Sequence, residues 1–141
     1  MTLHCYCLPA IQTPLANKFF QTHKVRGRAT KQDQVWVVKQ VDLIAACRVQ
    51  NVDHHAFLST VFVATDFRGQ GVAKMMLKQV VEHNIHGIYT FAYRDVVPLY
   101  LQLDFECVDA HSLSNTLQRK FASYTQQGRD IIPMYHLGKI H

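Results

Sequence analysis

Apolar positions in this chain follow two rhythms, one of period two and one of period between three and four, and the change between them is sharpest near residue 70. Phe57, Ser59, Val61 and Val63 fall on one side of an extended chain, and Leu58, Thr60, Phe62 and Ala64 fall on the other. Such a run reads as a strand covered on both faces. From Val72 onward, Val72, Met76 and Val80 form one row at spacing four and Ala73, Leu77 and Val81 the adjacent row, while Lys74, Lys78 and Glu82 point elsewhere. That spacing predicts an amphipathic helix with one stripe toward a core.

The remaining elements follow by the same reading. Leu3 to Leu8 predicts a first strand, and Pro14 opens a helix to about His23 with Leu15, Phe19 and Phe20 inward. Arg26 to Asp33 is polar and predicts a loop. Gln34 to Val38 and Leu43 to Val49 predict two strands joined at Gln40 to Asp42, and Gln50 to His55 a second polar turn. Ile88 to Tyr93 is a further strand. In the tail, Asn115-Thr116-Leu117-Gln118 reads as a capping box, Leu117, Phe121 and Tyr124 share a helical face, and Gly128 ends it. Ile131 to Leu137 is the last strand, expected at an edge or bulge because of Pro133. The fold class is α+β (mixed α/β), in one domain over residues 1–141.

Between strand and helix stands Arg68-Gly69-Gln70-Gly71-Val72-Ala73. Two glycines permit left-handed backbone and close approach, and the first amides of the helix lack partners of their own, so the junction suits a phosphate. The helix dipole contributes about 0.3–1 kcal/mol to an exposed anion, so Arg68 and several amides must add to it. A dinucleotide fingerprint is excluded because Lys74 stands where its third glycine belongs, and a P-loop because no Gly-Lys-Ser/Thr closes the turn.

The order Arg68-x-x-Gly71-x-Ala73, after an apolar strand and before an amphipathic helix, resembles the coenzyme A pyrophosphate loop of the GCN5-related N-acetyltransferases (GNAT). Tyr100, Leu103 and Phe105 match that family's later helix and strand in register, whereas Asp104 stands where it usually has glycine and Tyr93 near where it often has asparagine. The resemblance runs from about Leu43 to Val108. It implies a central mixed sheet of about six to seven strands flanked by helices, and a helical insertion over about 112–128 before the last strand, bordering the acceptor site.

What the resemblance implies about chemistry is acetyl transfer from acetyl-coenzyme A to a primary amine, by direct attack in a ternary complex. Residues Arg68, Gly69, Gln70, Gly71, Val72 and Ala73 would hold the diphosphate, with Arg68 given no other role, Val61 and Val63 would meet the pantetheine through their main chain, and Tyr93 and Tyr100 would border the cofactor. Tyr100 is the expected acid for the leaving thiolate. Some relatives carry a glutamate where this chain has Ser59, so a base is expected to act through water, with His55 the candidate beside Asp53 and His54. A coenzyme A binding module without turnover is the alternative, and a basic RNA or protein-interaction domain with an empty glycine turn is a second.

Composition adds bounds. The 141 residues are 48% apolar, and 15 Lys and Arg against 10 Asp and Glu give a net charge of +5. That charge suits an anionic ligand without choosing one; specific nucleic-acid recognition is not expected. Lys24, Arg26, Arg28 and Lys31 cluster in what reads as a solvated loop. No apolar run is long enough to span a membrane and the start lacks a leader pattern, so a cytoplasmic protein is expected. Cys5, Cys7, Cys47 and Cys107 are expected reduced and packed, and neither they nor the histidines are spaced for a metal. The acceptor is expected to be a small-molecule or peptide amine, with homodimerisation open to an edge strand in the tail.

Overall fold

A computed structural model describes residues 2–138. Seven strands, β1 (His4–Cys7), β2 (Gln34–Lys39), β3 (Leu43–Val52), β4 (His55–Val63), β5 (Ile88–Tyr93), β6 (Glu106–Cys107) and β7 (Ile131–His136), form one sheet in the order β1-β2-β3-β4-β5-β7-β6. Four α-helices accompany it: α1 (Thr13–Thr22), α2 (Val72–His83), α3 (Val97–Gln102) and α4 (Asn115–Gln126). This is the expected mixed architecture, including the helix before the last strand. Among the described residues no helix is long and apolar enough to cross a membrane.

The chain divides into two compact units, 1–50 with 58–80 and 51–57 with 81–141. In the first, β1, β2 and β3 pair antiparallel, with Tyr6 opposite Val37 and Val37 opposite Ala46, so three core residues share one face. Phe19 and Phe20 of α1 pack there with Leu8, Val35 and Ala64. Burying each phenylalanine side chain is worth about 1.5–3 kcal/mol. Leu15, expected inward, is 52% exposed. The helix turns Thr13, Ala16, Phe19 and Phe20 to the core, and Leu15 lies off that stripe. In α2 the two predicted rows are buried at Val72, Met76, Leu77, Val80 and Val81.

The loop after α1 is tied down by side chains the sequence reading did not use. Asn17 accepts from the Ala29 amide (2.8 Å) and donates to the Ala29 carbonyl (2.9 Å), so one helical side chain satisfies a whole peptide edge. Arg48 on β3 donates through Nε to Thr60 Oγ1 (3.1 Å), through Nη1 to the Arg28 carbonyl, and pairs with Asp33 (3.3 Å). Its side chain is 14% exposed and that of Asp33 7%, so the pair is largely desolvated. Gly27, at φ +112°, crosses so close that an added Cβ would lie 2.8 Å from Thr60 Oγ1.

In the second unit, the polar turn expected over Gln50 to His55 shrinks to two residues. Asp53 (φ 52°) and His54 (φ 65°) both take the left-handed conformation, the geometry of a type I′ hairpin between β3 and β4. Asn51 Oδ1 accepts from the His54 amide at 3.0 Å. The α4 cap is Ser114, whose hydroxyl accepts from the Leu117 amide (3.4 Å), one residue earlier than the capping box predicted. Asp53 joins it, accepting from the Thr116 amide at 3.3 Å. Gly128 ends the helix with φ +87°, as expected. Leu113, Leu117 and Phe121 of this region pack on Phe57 and Phe91.

The last strand is not an edge. β7 pairs with β5 along six positions, including Phe91 opposite Pro133, and with β6 on its other side. The Pro133 carbonyl accepts from the Val108 amide (3.0 Å), so the proline nitrogen faces β6, where it has no hydrogen to return. The ladder stops there, which is why β6 has two residues. The pairing route expected of the tail strand is therefore taken, and the sheet edges are β1 and β6. The thiols differ from expectation too: Cys47 is buried, Cys5 is half-buried, and Cys7 and Cys107 are exposed on those edge strands. Burial pushes the Cys47 thiol well above its ordinary range, with Cys5 and Cys7 adding.

Candidate functional site

In the first unit, β4 ends at Val63 and a 3-10 turn over Thr65–Phe67 leads to Arg68. Gly69 (φ 76°) and Gly71 (φ 77°) are both left-handed, and nothing lies within 4 Å of a Cβ built on either. A side chain would be strained at both positions by backbone conformation alone. The Gly71 carbonyl accepts from the Met75 amide (3.0 Å), opening the 12-residue α2, whose first-turn amides point back toward the loop without intrahelical partners. Arg68, Gly69, Gln70 and Gly71 are exposed, Val72 is buried and Ala73 half-buried. The combination is an exposed turn with a cation and free helix-start amides, and that donor set fits a diphosphate.

Arg68 does more than the sequence reading assigned it. Its Nε donates to the Val63 carbonyl (2.9 Å) and its guanidinium lies 5.2 Å from the centroid of the Phe62 ring. Phe62 in turn meets His23 (5.2 Å between centroids) and Phe19 (5.9 Å), so the loop rests on a stack rooted in α1. Gln70 Nε2 donates to the Asp66 carbonyl (3.3 Å), bracing the turn from the other side. Arg68 is thus a structural anchor of the loop as well as a cation on it, and the Val63 carbonyl already carries one donor. A cleft of about 430 Å³ borders the same turn, lined by His23, Asp42, Thr65, Asp66 and Phe67 among others.

Ser59, on β4 where some relatives carry a glutamate, has a buried Oγ with no hydrogen-bond partner. Val61 and Val63, further along the strand, are half-buried. A buried hydroxyl ordinarily has a hydrogen-bond partner, protein or water.

In the second unit, Tyr100 on α3 is 5% exposed, with its ring edge-on to Phe105 at 5.1 Å. Its carbonyl accepts from the amides of Leu103 and Phe105 (both 3.0 Å), which fixes the turn between α3 and β6. Asp104 in that turn has φ 68°, the conformation that the glycine usual at this position adopts freely. Tyr93, at the end of β5, is 50% exposed. His55 is exposed at the start of β4 with its ring edge-on to Tyr89 (5.5 Å), and His54 lies in the hairpin turn. Asp53, weighed with His54 and His55 as a source of the base, is instead engaged at the α4 N-terminus: the Thr116 hydroxyl first, then Ser114, hold its carboxyl below the usual range. Tyr89 is pushed up by burial and by Tyr135. Among the described residues no group of His, Cys, Asp and Glu is arranged to hold a metal ion.

No curated protein matches the sequence. Solved structures match its fold. N-acetylglutamate synthase from Neisseria gonorrhoeae, complexed with coenzyme A and N-acetyl-glutamate, superposes with a TM-score of 0.71 at 9% identity over 96% of this chain, which spans 35% of that protein. The ribosomal-protein-S18-alanine N-acetyltransferase of Escherichia coli gives 0.68 at 15% identity, covering 97% of this chain and 95% of the other. Diaminobutyrate acetyltransferase EctA from Paenibacillus lautus, in complex with L-2,4-diaminobutyric acid and coenzyme A, gives 0.63 at 13%, covering 99% and 96%. At these identities the likeness is one of fold. A sequence model of the acetyltransferase (GNAT) domain matches residues 31–107, from the segment before β2 to the end of β6 and through the whole glycine loop. Matching more than half of its length, it shows that the chain belongs to the GNAT acetyltransferase family.

Proposed function

We propose that this protein transfers an acetyl group from acetyl-coenzyme A to a primary amine on a small molecule or peptide, by direct attack in a ternary complex. The observation that carries this reading is the loop Arg68 to Ala73, where two left-handed glycines with open space above them lead into the N-terminus of α2 beside an exposed guanidinium. Gly69, Gln70, Gly71, Val72 and Ala73 would bind the diphosphate through main-chain amides, and Arg68 through charge. Val61 and Val63 would meet the pantetheine by main chain, and Tyr93 would border the cofactor. The cofactor supplies the activated acyl group; the chain's own part is to orient it and to move protons.

Tyr100 is the proposed acid for the departing thiolate, and the low exposure of its ring supports a role in a site shielded from water. Ser59 is the proposed holder of a water through which the amine loses its proton, with His55 the proposed base. The unpartnered Ser59 hydroxyl supports this. The same residue favours a second reading, a coenzyme A binding module without turnover, because a serine takes no proton from an ammonium unaided.

One experiment separates them. Acetyl-coenzyme A affinity is measured by titration calorimetry and free thiol release is followed with a panel of amines. Acetyl transfer predicts thiol release with at least one amine and a loss of about 10²–10⁴-fold in kcat for Tyr100→Phe with affinity retained. Tight binding with no thiol released by any amine sinks the enzyme and leaves the module; no binding sinks both.

A further inference from the structure

The net charge of this protein is confined to one stretch. Residues 1–32 contain five Lys and Arg and no Asp or Glu, leaving ten cations and ten carboxylates over the remainder. All five cations, Lys18, Lys24, Arg26, Arg28 and Lys31, are exposed, on α1 or on the loop that follows it. The nearest carboxylate in sequence, Asp33, does not neutralise them, because it is buried against Arg48 and accepts from the Thr30 amide (2.9 Å).

The cluster is exposed on a loop, as its sequence suggests, but part of that loop is held against α1. Residues 28–31 lie along one flank of α1 and enclose with it a groove of about 470 Å³, lined by Thr13, Asn17, Lys18 and Gln21 from the helix and by Arg28 and Lys31 from the loop. Both walls are fixed. Asn17 clamps both ends of the Ala29 peptide edge, and Arg48 holds the Arg28 carbonyl from the sheet side. The three cations therefore project from a backbone held by the protein's own hydrogen bonds, which lowers the entropic cost a partner would bear.

We propose that this groove is a docking surface for an acidic peptide segment of a partner protein. Charge complementarity selects an anionic occupant, since cations line both walls and no Asp or Glu lines the groove. The lining selects carboxylates over nucleic acid: Phe19 and Phe20, the aromatic residues of α1, are buried in the core, so no ring faces the groove for a base to stack on. The threonine and amide side chains along α1 offer hydrogen bonds to a peptide backbone. This inference does not depend on acetyl transfer and uses no residue assigned to it.

The test measures fluorescence anisotropy of a labelled Glu/Gly-repeat peptide with the wild-type protein, against a Gln/Gly peptide of equal length and an RNA oligonucleotide of equal charge. The variant is Lys18→Glu with Lys31→Glu, whose fold is checked by circular dichroism, alongside a milder variant, Lys18→Gln with Lys31→Gln. The acidic peptide is expected to bind at least about tenfold tighter than the glutamine peptide at low salt, and to lose at least about tenfold on charge reversal. The reversed variant should then prefer a Lys/Gly peptide, a gain that misfolding does not produce. Equal binding of the acidic and glutamine peptides overturns the proposal, as does tighter binding of the RNA with the same sensitivity to the variants. Coenzyme A affinity is followed in parallel; its loss or absence bears on acyl transfer and leaves this result standing.

Discussion

Arg68→Ala separates two functions that one side chain performs. In the protein alone, the substitution removes the Nε bond to the Val63 carbonyl (2.9 Å) and the guanidinium stacked on Phe62 (5.2 Å). A hydrogen bond nets about 0.5–1.5 kcal/mol and an exposed cation–π contact about 0.5–1. Because Arg68 is exposed, the low ends apply, and the expected loss is about 1 kcal/mol, or roughly 3 °C in Tm for a chain of this size. With acetyl-coenzyme A present, a charge-assisted bond to a phosphate is lost as well, at about 1.5–3 kcal/mol, which is about 10- to 150-fold in Kd. Arg68→Lys keeps a positive charge but not the Nε donor, so it should recover part of the affinity and little of the stability. Urea melts without ligand and calorimetric titration with acetyl-coenzyme A read the two effects apart. A variant that binds the coenzyme as tightly as the wild type would refute the phosphate role, and one that melts with the wild type would refute the anchoring role.

Two further outcomes follow from the packing. Arg48→Met should cost about 3 kcal/mol in a urea melt, because it strands the Asp33 carboxylate and frees the Arg28 carbonyl; adding Asp33→Asn should recover part of that loss, and an additive double variant would contradict the pairing. Asp53 tests pH dependence. Its folded carboxyl lies below the usual range, through the Thr116 hydroxyl and then Ser114, so its stabilisation is fully present above an unfolded value near about 3.9 and is lost as pH falls through the folded one. The difference in Tm between wild type and Asp53→Asn should hold steady above about pH 5 and shrink below about pH 4; a difference independent of pH would exclude the charge on Asp53 as its source.

How far the sequence reaches depends on whether the cause of a feature is local. The rows of α2 and the glycines at 69 and 71 were legible because period and backbone freedom are properties of neighbouring residues. The hairpin at Asp53 and His54 was read too long because neither residue announces a left-handed conformation as glycine would. Arg48 could have been flagged, since a cation inside an otherwise apolar strand calls for a partner, but nothing along the chain names Asp33, Thr60 or the Arg28 carbonyl. Leu15 looked buried because the chain shows an apolar residue and not which flank of α1 the sheet covers.

The sequence by itself determined the order of elements, the family and the glycine turn between β4 and α2, because each is set by residue type and spacing among neighbouring positions. Only the tertiary structure decided that Arg68 braces its own turn, that Pro133 ends β6 rather than marking an edge, and that Arg28 and Lys31 face Lys18 across a groove beside α1. Those depend on which distant backbone carbonyl or ring a side chain meets, and chain closure brings such groups together with no trace in the local pattern.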